Sequence, residues 1–181
     1  MGIFKMIRHT DDGLRYLYNA LHYTMGIHTD YDKRCSPNVD IYNAYEQFLF
    51  VKKYFGKTSG NPVFHFIVVY NYNAKSTWGY NDEHTAEMSH RIASYFSDRY
   101  QIVYGIHHKP CYNKCGKCTS LYHVHFIMNS VSYIDGKMFS GNCTEIYAFL
   151  EHIKRVTGDK SWTMEYDSDK ENGNNGVFPV I

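Results

Sequence analysis

The segment that most constrains the fold of this chain is Tyr122 to Val131, with the sequence YHVHFIMNSV. Successive side chains of a β-strand point to opposite faces of the sheet. One set of alternate positions carries two histidines and an asparagine: His123, His125, Ile127 and Asn129. The other set is apolar, as in a protein core: Val124, Phe126 and Met128. The pattern predicts a strand with core packing on one face and polar chemistry on the other.

The two histidines of this strand place their imidazoles on one side, roughly 6.5 to 7 Å apart along the backbone, so that both can reach one divalent ion. His107 ends the preceding predicted strand, Gln101 to His107. An antiparallel neighbour would bring this third imidazole to the same ion and leave coordination positions open, as phosphodiester chemistry requires. For an isolated pair, a solvated sheet face without metal is the simpler interpretation. The neighbouring histidine favours a metal site.

The remaining elements predict an α+β fold, with an antiparallel or mixed sheet, helices covering one face and the other face free for a ligand. The predicted strands are Ile3–Ile7, Val63–Asn71 and a short return strand through Phe139 after the Asp-Gly turn. The predicted helices begin near Gly13, at Val39, at Asn81 or Asp82, and at Thr144; the last three end near Phe55, Asp98 and Val156.

The helix that begins near Gly13 has an apolar stripe at i, i+3, i+4 and i+7: Leu14, Leu17, Tyr18 and Leu21. Tyr16 lies about 200° around the helix from Leu14, given 3.6 residues per turn. We therefore expect Tyr16 to face away from the packing surface of the helix.

Composition limits the class of protein. The chain has 181 residues, enough for one domain, which we place at residues 1–157, with a polar tail or linker at 158–181. It shows no secretory signal and no apolar run that spans a bilayer, so we expect a cytoplasmic protein without a membrane partner. A net charge of +1 gives no basic signature. The 18 Tyr and 11 Phe side chains suit stacking on single-stranded bases or filling a core.

Three of the five cysteines lie close together, as Cys111-x3-Cys115-x2-Cys118. A structural zinc there needs a fourth ligand, for which Cys35, Cys143, His108 or another nearby histidine are candidates. Two alternatives stay open. The loop is a finger that touches DNA, with Lys109, Lys114 and Lys117 interleaved with Tyr112, or its cysteines are free thiols in a reducing compartment.

Three ordered segments resemble a known family: LRYLYNALHYT, then KRCSPNVDIYNAYEQFLFVKKYFGKTSGNPVFHFIVVYN, then GIHH followed by YHVHFIMNSVSYIDGKMF. The chain resembles the relaxases of mobilizable plasmids and integrative conjugative elements, in particular the MobP type related to VirD-like border nucleases. The resemblance spans roughly residues 1 to 156. It implies an HUH-endonuclease-like fold.

By position, the resemblance implies that Tyr16 is the nucleophile and that His107, His123 and His125 are the metal ligands. His65 and Asn129 match positions near the site. The chain departs from the family pattern at three places. Tyr23 replaces the lysine of the tyrosine motif, which makes Tyr23 the alternative nucleophile. His108 and Lys109 replace an acidic residue, and the spacer before the His-x-His pair is longer and holds the cysteines.

The reaction implied by the resemblance is transesterification at an origin of transfer in single-stranded DNA, which leaves a 5′-phosphotyrosine and a free 3′-hydroxyl. The implied cofactor is a divalent metal ion, Mn²⁺ or Mg²⁺, with Zn²⁺ also suited to neutral imidazoles. The implied partners are origin DNA with an adjacent hairpin, accessory relaxosome proteins and a coupling protein.

Two rival functions remain at this point. A rolling-circle replication initiator or single-tyrosine transposase shares the chemistry and would use Tyr147 on the last helix. A zinc-stabilised DNA-binding module that does not cleave is the rival from another class, and Lys109 and the low net charge favour it.

Overall fold

The computed structural model describes residues 2–7, 13–26, 34–70, 82–112 and 118–166, with backbone only at 34–35, 82, 108–112, 118–121 and 166. Six strands are described: β1 (Ile3–Ile7), β2 (Arg34–Cys35), β3 (Val63–Tyr70), β4 (Ile102–Tyr112), β5 (Cys118–Asn129) and β6 (Thr163–Tyr166). Four α-helices accompany them: α1 (Leu14–Met25), α2 (Ala44–Tyr54), α3 (Asp82–Ala93) and α4 (Cys143–Thr157). None of these described helices has the length and apolar character needed to cross a bilayer.

The strands form one mixed sheet in the order β2-β4-β5-β3-β1-β6. The pair β1 and β6 is parallel, and all other neighbours are antiparallel. This confirms the α+β prediction with a mixed sheet. The central strands β4, β5 and β3 are the longest, so the histidine-bearing strand lies in the middle of the sheet, where its neighbours determine its register.

Several predicted boundaries differ from the structure. The helix expected from Val39 begins as a 3₁₀ turn at Ile41–Asn43, because the Asp40 carboxylate accepts a hydrogen bond from the Tyr42 N–H and caps that turn. The return strand expected through Phe139 is reduced to a single bridge between Val131 and Met138.

The tail expected from residue 158 begins with ordered structure. Strand β6 adds to the sheet beside β1, and the Trp162 ring that precedes it is buried. Lys5 and Glu165 form an ion pair of 2.9 Å across this pairing. The rest of the predicted tail, 167–181, lies outside the described residues.

The expectation that helices cover only one face is wrong. Helices α3 and α4 pack on the face formed by Val124, Phe126 and Met128, in the larger core cluster. Helices α1 and α2 pack on the opposite face, in a smaller core around Val103 and Ile127. The sheet is therefore the middle layer of three. This smaller core does not extend over the whole histidine face. Outside it, three residues of this face are partly exposed: Ile67, Val69 and His123.

The α2 layer also buries a lysine. The side chain of Lys52 is 1% exposed, and its Nζ donates to the Ser130 hydroxyl at 2.8 Å. Desolvation lowers the pKa of Lys52 from 10.5 to about 8. No carboxylate of the described residues forms an ion pair with this lysine. Because the shift disfavours the charged form, folding carries the full cost of burying a charge below pH 8.

We predict that Lys52→Met stabilises the protein by about 2 kcal/mol at pH 7. The pKa difference corresponds to about 3 kcal/mol, from which about 1 kcal/mol is lost with the Ser130 hydrogen bond. Between pH 8 and 10.5 the unfolded chain binds more protons at this lysine than the folded one, so the wild-type contribution to stability rises in that window and the benefit of the substitution falls.

Urea unfolding at several pH values measures this difference. Lys53→Met is the matched control, because Lys53 is the exposed neighbour on the same helix and should change stability by less than about 0.5 kcal/mol. A Lys52→Met protein less stable than wild type at pH 7 would show that the contact with Ser130 outweighs the desolvation of the ammonium group.

Candidate functional site

The predicted metal ligands converge on two neighbouring strands. In the antiparallel pairing of β4 with β5, His107 stands opposite His123, and Gly105 stands opposite His125. The imidazoles of His107, His123 and His125 therefore project from the same face of the sheet. The ring centroids lie 4.6 Å apart for His107 and His125, and 5.3 Å apart for each of the other two pairs.

The donor atoms of these three histidines meet the geometric requirement for one ion. One ligand atom from each residue lies within 4.8 Å of the other two. His107 and His125 are 1% and 4% exposed, whereas His123 is partly exposed. His123 is therefore the most accessible of the three candidate ligands, and Ile67 and Val69 on the neighbouring strand are also partly exposed.

The protonation state of the buried ligand suits metal binding. Desolvation by burial, followed by repulsion from His65, His107 and His123, holds the pKa of His125 well below its ordinary value of 6.5. At neutral pH the imidazole is uncharged, and a neutral imidazole has a lone pair to offer a cation. A cluster of three imidazoles is costly to charge and is stabilised by a cation, so these residues fit a divalent ion.

A chain of two hydrogen bonds links Tyr16 to this cluster. The Tyr16 hydroxyl lies 2.9 Å from Nδ1 of His65, and Nε2 of His65 lies 2.8 Å from Nδ1 of His125. His65 is on β3, directly beside β5, and is 1% exposed. His65, which lies outside the three-histidine cluster, thus connects this cluster to the tyrosine of α1.

The orientation predicted for α1 is wrong. Tyr16 is 6% exposed and faces the sheet, whereas Tyr18, a member of the predicted apolar stripe, is 53% exposed. The buried face consists of Tyr16, Leu17, Ala20, Leu21 and Thr24. The apolar stripe is therefore rotated from the one that hydrophobicity alone suggests, because the Tyr16 hydroxyl has a buried hydrogen-bond partner in His65 that no local pattern reveals.

A glycine allows α1 to approach the site closely. A Cβ atom on Gly105 would overlap the backbone oxygen of Thr24, so any side chain there would push the end of α1 off the sheet. The helix thus crosses the strands from His65, which Tyr16 contacts, to Gly105 beside His125. Gly105 was not among the residues predicted from sequence. A glycine two residues before His107, and so on the same strand face, is the signal that could have revealed it.

The alternative nucleophile also lies at the site. The ring of Tyr23 packs edge-on against His107 and His125, with centroid separations of 5.3 and 5.2 Å. Tyr16 and Tyr23 therefore reach the histidines in different ways. The hydroxyl of Tyr16 is hydrogen-bonded to His65, which is in turn hydrogen-bonded to His125. The ring of Tyr23 instead packs directly against His107 and His125, two of the three candidate ligands.

The structure does not bring Asn129 to the histidines. Asn129 is four residues beyond His125 on β5, about 13 Å away along the strand. Its side-chain amide donates to the backbone oxygen of Phe48 and to Oε1 of Gln101, and its oxygen accepts from the Val131 N–H. These buried contacts tie β5 to α2 and to the start of β4.

The cysteine cluster lies largely outside the described residues. Cys115 is not described, and for Cys111, Cys118, His108 and Lys109 only the backbone is described. Cys143 begins α4 close to Gly141, which lies against Phe64. Phe64 pairs with Met128 near the end of β5, about 33 Å along the strand from Cys118. This separation removes Cys143 as a fourth zinc ligand. Zinc at the other three cysteines stays a prediction.

Tyr147, the nucleophile of the rival initiator or transposase, is 56% exposed on α4. That helix packs on the face of the sheet opposite the histidines. The sheet itself therefore separates Tyr147 from His107, His123 and His125.

A family model described as "Relaxase: MobA/VirD2-like, nuclease domain" matches residues 18–161. No curated protein and no solved structure shows a significant match. The matched segment contains His65, the three clustered histidines and Tyr23, and it begins two residues after Tyr16.

Proposed function

Because the chain belongs to the MobA/VirD2-like relaxase family of nucleases, we propose that it nicks and rejoins one DNA strand at an origin of transfer with Tyr16 as nucleophile. The observation that carries this proposal is the 2.9 Å contact between the Tyr16 hydroxyl and His65, which is itself held by His125. An imidazole that is hydrogen-bonded to a nucleophile and is itself held in place by another residue can favour the reactive form of that nucleophile.

His107, His123 and His125 would hold a divalent metal ion, with Mn²⁺ or Mg²⁺ as the proposed ion and Zn²⁺ as the alternative that neutral imidazoles suit. When bound, such an ion withdraws charge from the non-bridging oxygens of the phosphate and orients it for attack.

Metal binding by His125 would fix the direction of both hydrogen bonds in this chain. Nδ1 of His125 is engaged by His65, so His125 has Nε2 to offer as a ligand. A neutral His125 that uses Nε2 in this way carries its proton on Nδ1 and donates it to Nε2 of His65. His65 then carries its own proton on Nδ1 and donates it to the Tyr16 oxygen. A hydrogen bond donated to the phenolic oxygen favours its deprotonated, attacking form.

In the proposed reaction, the Tyr16 phenol releases its proton to solvent, and its oxygen forms a bond to phosphorus as the bond to the 3′ oxygen breaks. The products are a 5′-phosphotyrosine and a 3′ oxygen that takes up a proton. The covalent ester conserves the energy of the broken bond, so attack by the 3′-hydroxyl can rejoin the strand and release the tyrosine. We propose origin DNA with an adjacent hairpin, accessory relaxosome proteins and a coupling protein as the partners of this reaction.

A randomised pool of labelled single-stranded oligonucleotides tests the proposal and does not require the origin sequence to be chosen in advance. The protein is incubated with the pool and Mn²⁺, and DNA that stays attached after denaturation is recovered and sequenced. We expect a metal-dependent covalent adduct enriched in one sequence. DNA binding without any adduct, with Mn²⁺, Mg²⁺ or Zn²⁺, would support the non-cleaving DNA-binding module instead.

We predict that His65→Ala slows adduct formation about 10- to 100-fold, as expected for a residue that positions a ligand and the nucleophile. Because the variant removes the donor to the Tyr16 oxygen, the rate should also rise at a higher pH than in wild type. Adduct formation measured from pH 6 to 10 provides both readouts.

His90→Ala is the matched control, because His90 is an exposed histidine on α3, on the other side of the sheet. It should leave the rate and the pH profile unchanged. A His65→Ala protein that folds, binds Mn²⁺ and shows the wild-type rate and pH profile would contradict a role for His65 in positioning Tyr16.

A further inference from the structure

The near-neutral net charge of the chain hides an uneven distribution over the two helical layers. Helices α3 and α4 carry five carboxylates against three basic residues. Helices α1 and α2, which lie on the histidine face, carry one carboxylate, Glu46, against three basic residues: Arg15, Lys52 and Lys53. Lys52 is buried, and the other two are exposed. The helical layer on the histidine face is therefore less acidic than the opposite layer and repels a polyanion less.

The solvent-facing side of α1 combines this charge pattern with aromatic groups. Arg15, Tyr18 and His22 follow one another at i, i+3 and i+7 and are all exposed. The rings of Tyr18 and His22 stack with an interplanar angle of 25° and a centroid separation of 5.9 Å. Helix α1 contains no Asp or Glu, so no carboxylate of this helix opposes a phosphate that crosses it.

The exposed aromatic side chains of α1 have an aromatic neighbour on α2. The Tyr18 ring meets the partly buried ring of Tyr45 edge-on, with centroids 5.5 Å apart. At its other end the row begins beside the catalytic candidates, because His22 is followed by Tyr23, whose ring contacts His107 and His125. The three side chains His22, Tyr18 and Tyr45, which we call the aromatic row, thus run along the solvent side of α1 from the position next to Tyr23 to α2.

From this arrangement we infer that the aromatic row is a binding track for single-stranded DNA leaving the cleavage site, with bases stacked on Tyr18 and Tyr45 and phosphates near Arg15. Aromatic faces bind unpaired bases without regard to sequence, and the exposed basic groups neutralise the backbone. The inference rests on the proposed function, because it assigns a path to the DNA strand that the histidine cluster and Tyr16 would cut.

Fluorescence anisotropy with a labelled oligothymidylate at low salt tests the track. Loss of one stacking platform costs about 1–3 kcal/mol, so Tyr18→Ala should raise the dissociation constant about 5- to 150-fold. Tyr18→Phe retains the aromatic face and should bind within about twofold of wild type. Tyr45→Ala should weaken binding in the same direction as Tyr18→Ala.

Tyr147→Ala is the matched control, since Tyr147 is a tyrosine of similar exposure on α4, in the acidic layer. It should bind DNA as wild type does, and thermal melts should show all variants folded. If wild type binds and Tyr18→Ala binds equally well, the track is wrong and the proposed function stands. If wild type binds no single-stranded DNA, the proposed function fails and the track fails with it.

Discussion

Tyr16→Phe is expected to abolish covalent attachment of DNA, with a fall of at least about a thousandfold in the rate of adduct formation. The substitution removes the attacking oxygen and leaves the ring in its buried place between α1 and the sheet. The lost hydrogen bond to His65 should cost about 1 kcal/mol of stability. Affinity for single-stranded DNA should stay within about twofold, because the Tyr16 ring is buried and offers no stacking surface.

Tyr23→Phe is the control for this prediction. Tyr23 contacts His107 and His125 through its ring, which phenylalanine preserves, so the variant should form the adduct at a rate near that of wild type. Denaturing gels with labelled DNA measure both variants. If Tyr23→Phe lost the adduct and Tyr16→Phe kept it, Tyr23 would be the nucleophile and the hydrogen-bond chain through His65 would have another purpose.

Loss of any one of the three clustered histidines is expected to abolish metal-dependent cleavage. Two remaining imidazoles hold a divalent ion much less tightly, so Mn²⁺ affinity should fall at least about 100-fold, and cleavage should fall with it. His123→Ala is the cleanest variant, because His123 is partly exposed and its removal should alter stability by about 1 kcal/mol or less.

Burial changes the expected behaviour of the other two ligands. Ligands on an exposed sheet face would contribute little to folding, but His107 and His125 are almost fully buried. Alanine at either position leaves a cavity and should destabilise the fold by about 1–3 kcal/mol. The metal affinity of the His107→Ala and His125→Ala variants should therefore be measured by calorimetry below their unfolding temperatures, with His90→Ala as the control. Wild-type metal affinity and cleavage in folded His123→Ala would contradict the three-histidine site.

The histidine cluster could be predicted from sequence because it depends on strand periodicity and on one antiparallel pairing. His123 and His125 share a face by alternation, and His107 ends the adjacent predicted strand. Both relations involve residues near one another in the chain, so local pattern is enough. The same holds for the apolar set of β5, which lies in the larger core as its alternation indicates.

The orientation of Tyr16 could not be predicted, because it depends on a partner 49 residues away. Helical periodicity ranks side chains by hydrophobicity and cannot weigh a buried hydrogen bond to an imidazole on another strand. Strand β6 was missed for a related reason. Its four residues pair with β1 at the opposite end of the chain, and a short edge strand leaves a weak local signal.

The electrostatic character of the two faces could not be inferred from composition either. A net charge of +1 suggests no affinity for nucleic acid, yet five of the six carboxylates of the four helices lie on α3 and α4, whereas each layer carries three basic residues. Total charge sums over both layers and so conceals the difference between them. Only the sheet topology shows that the less acidic layer is the one above the histidines.

The most direct test of tyrosine transesterification is mass spectrometry of the peptide that carries DNA after reaction with Mn²⁺ and a cleavable single strand. We predict a nucleotide attached through its 5′-phosphate to the Tyr16 side chain. This adduct should form only when metal is present and should be absent from the His123→Ala variant. Strand cleavage by wild type with no nucleotide on any tyrosine would show hydrolysis by water and would contradict the mechanism proposed here.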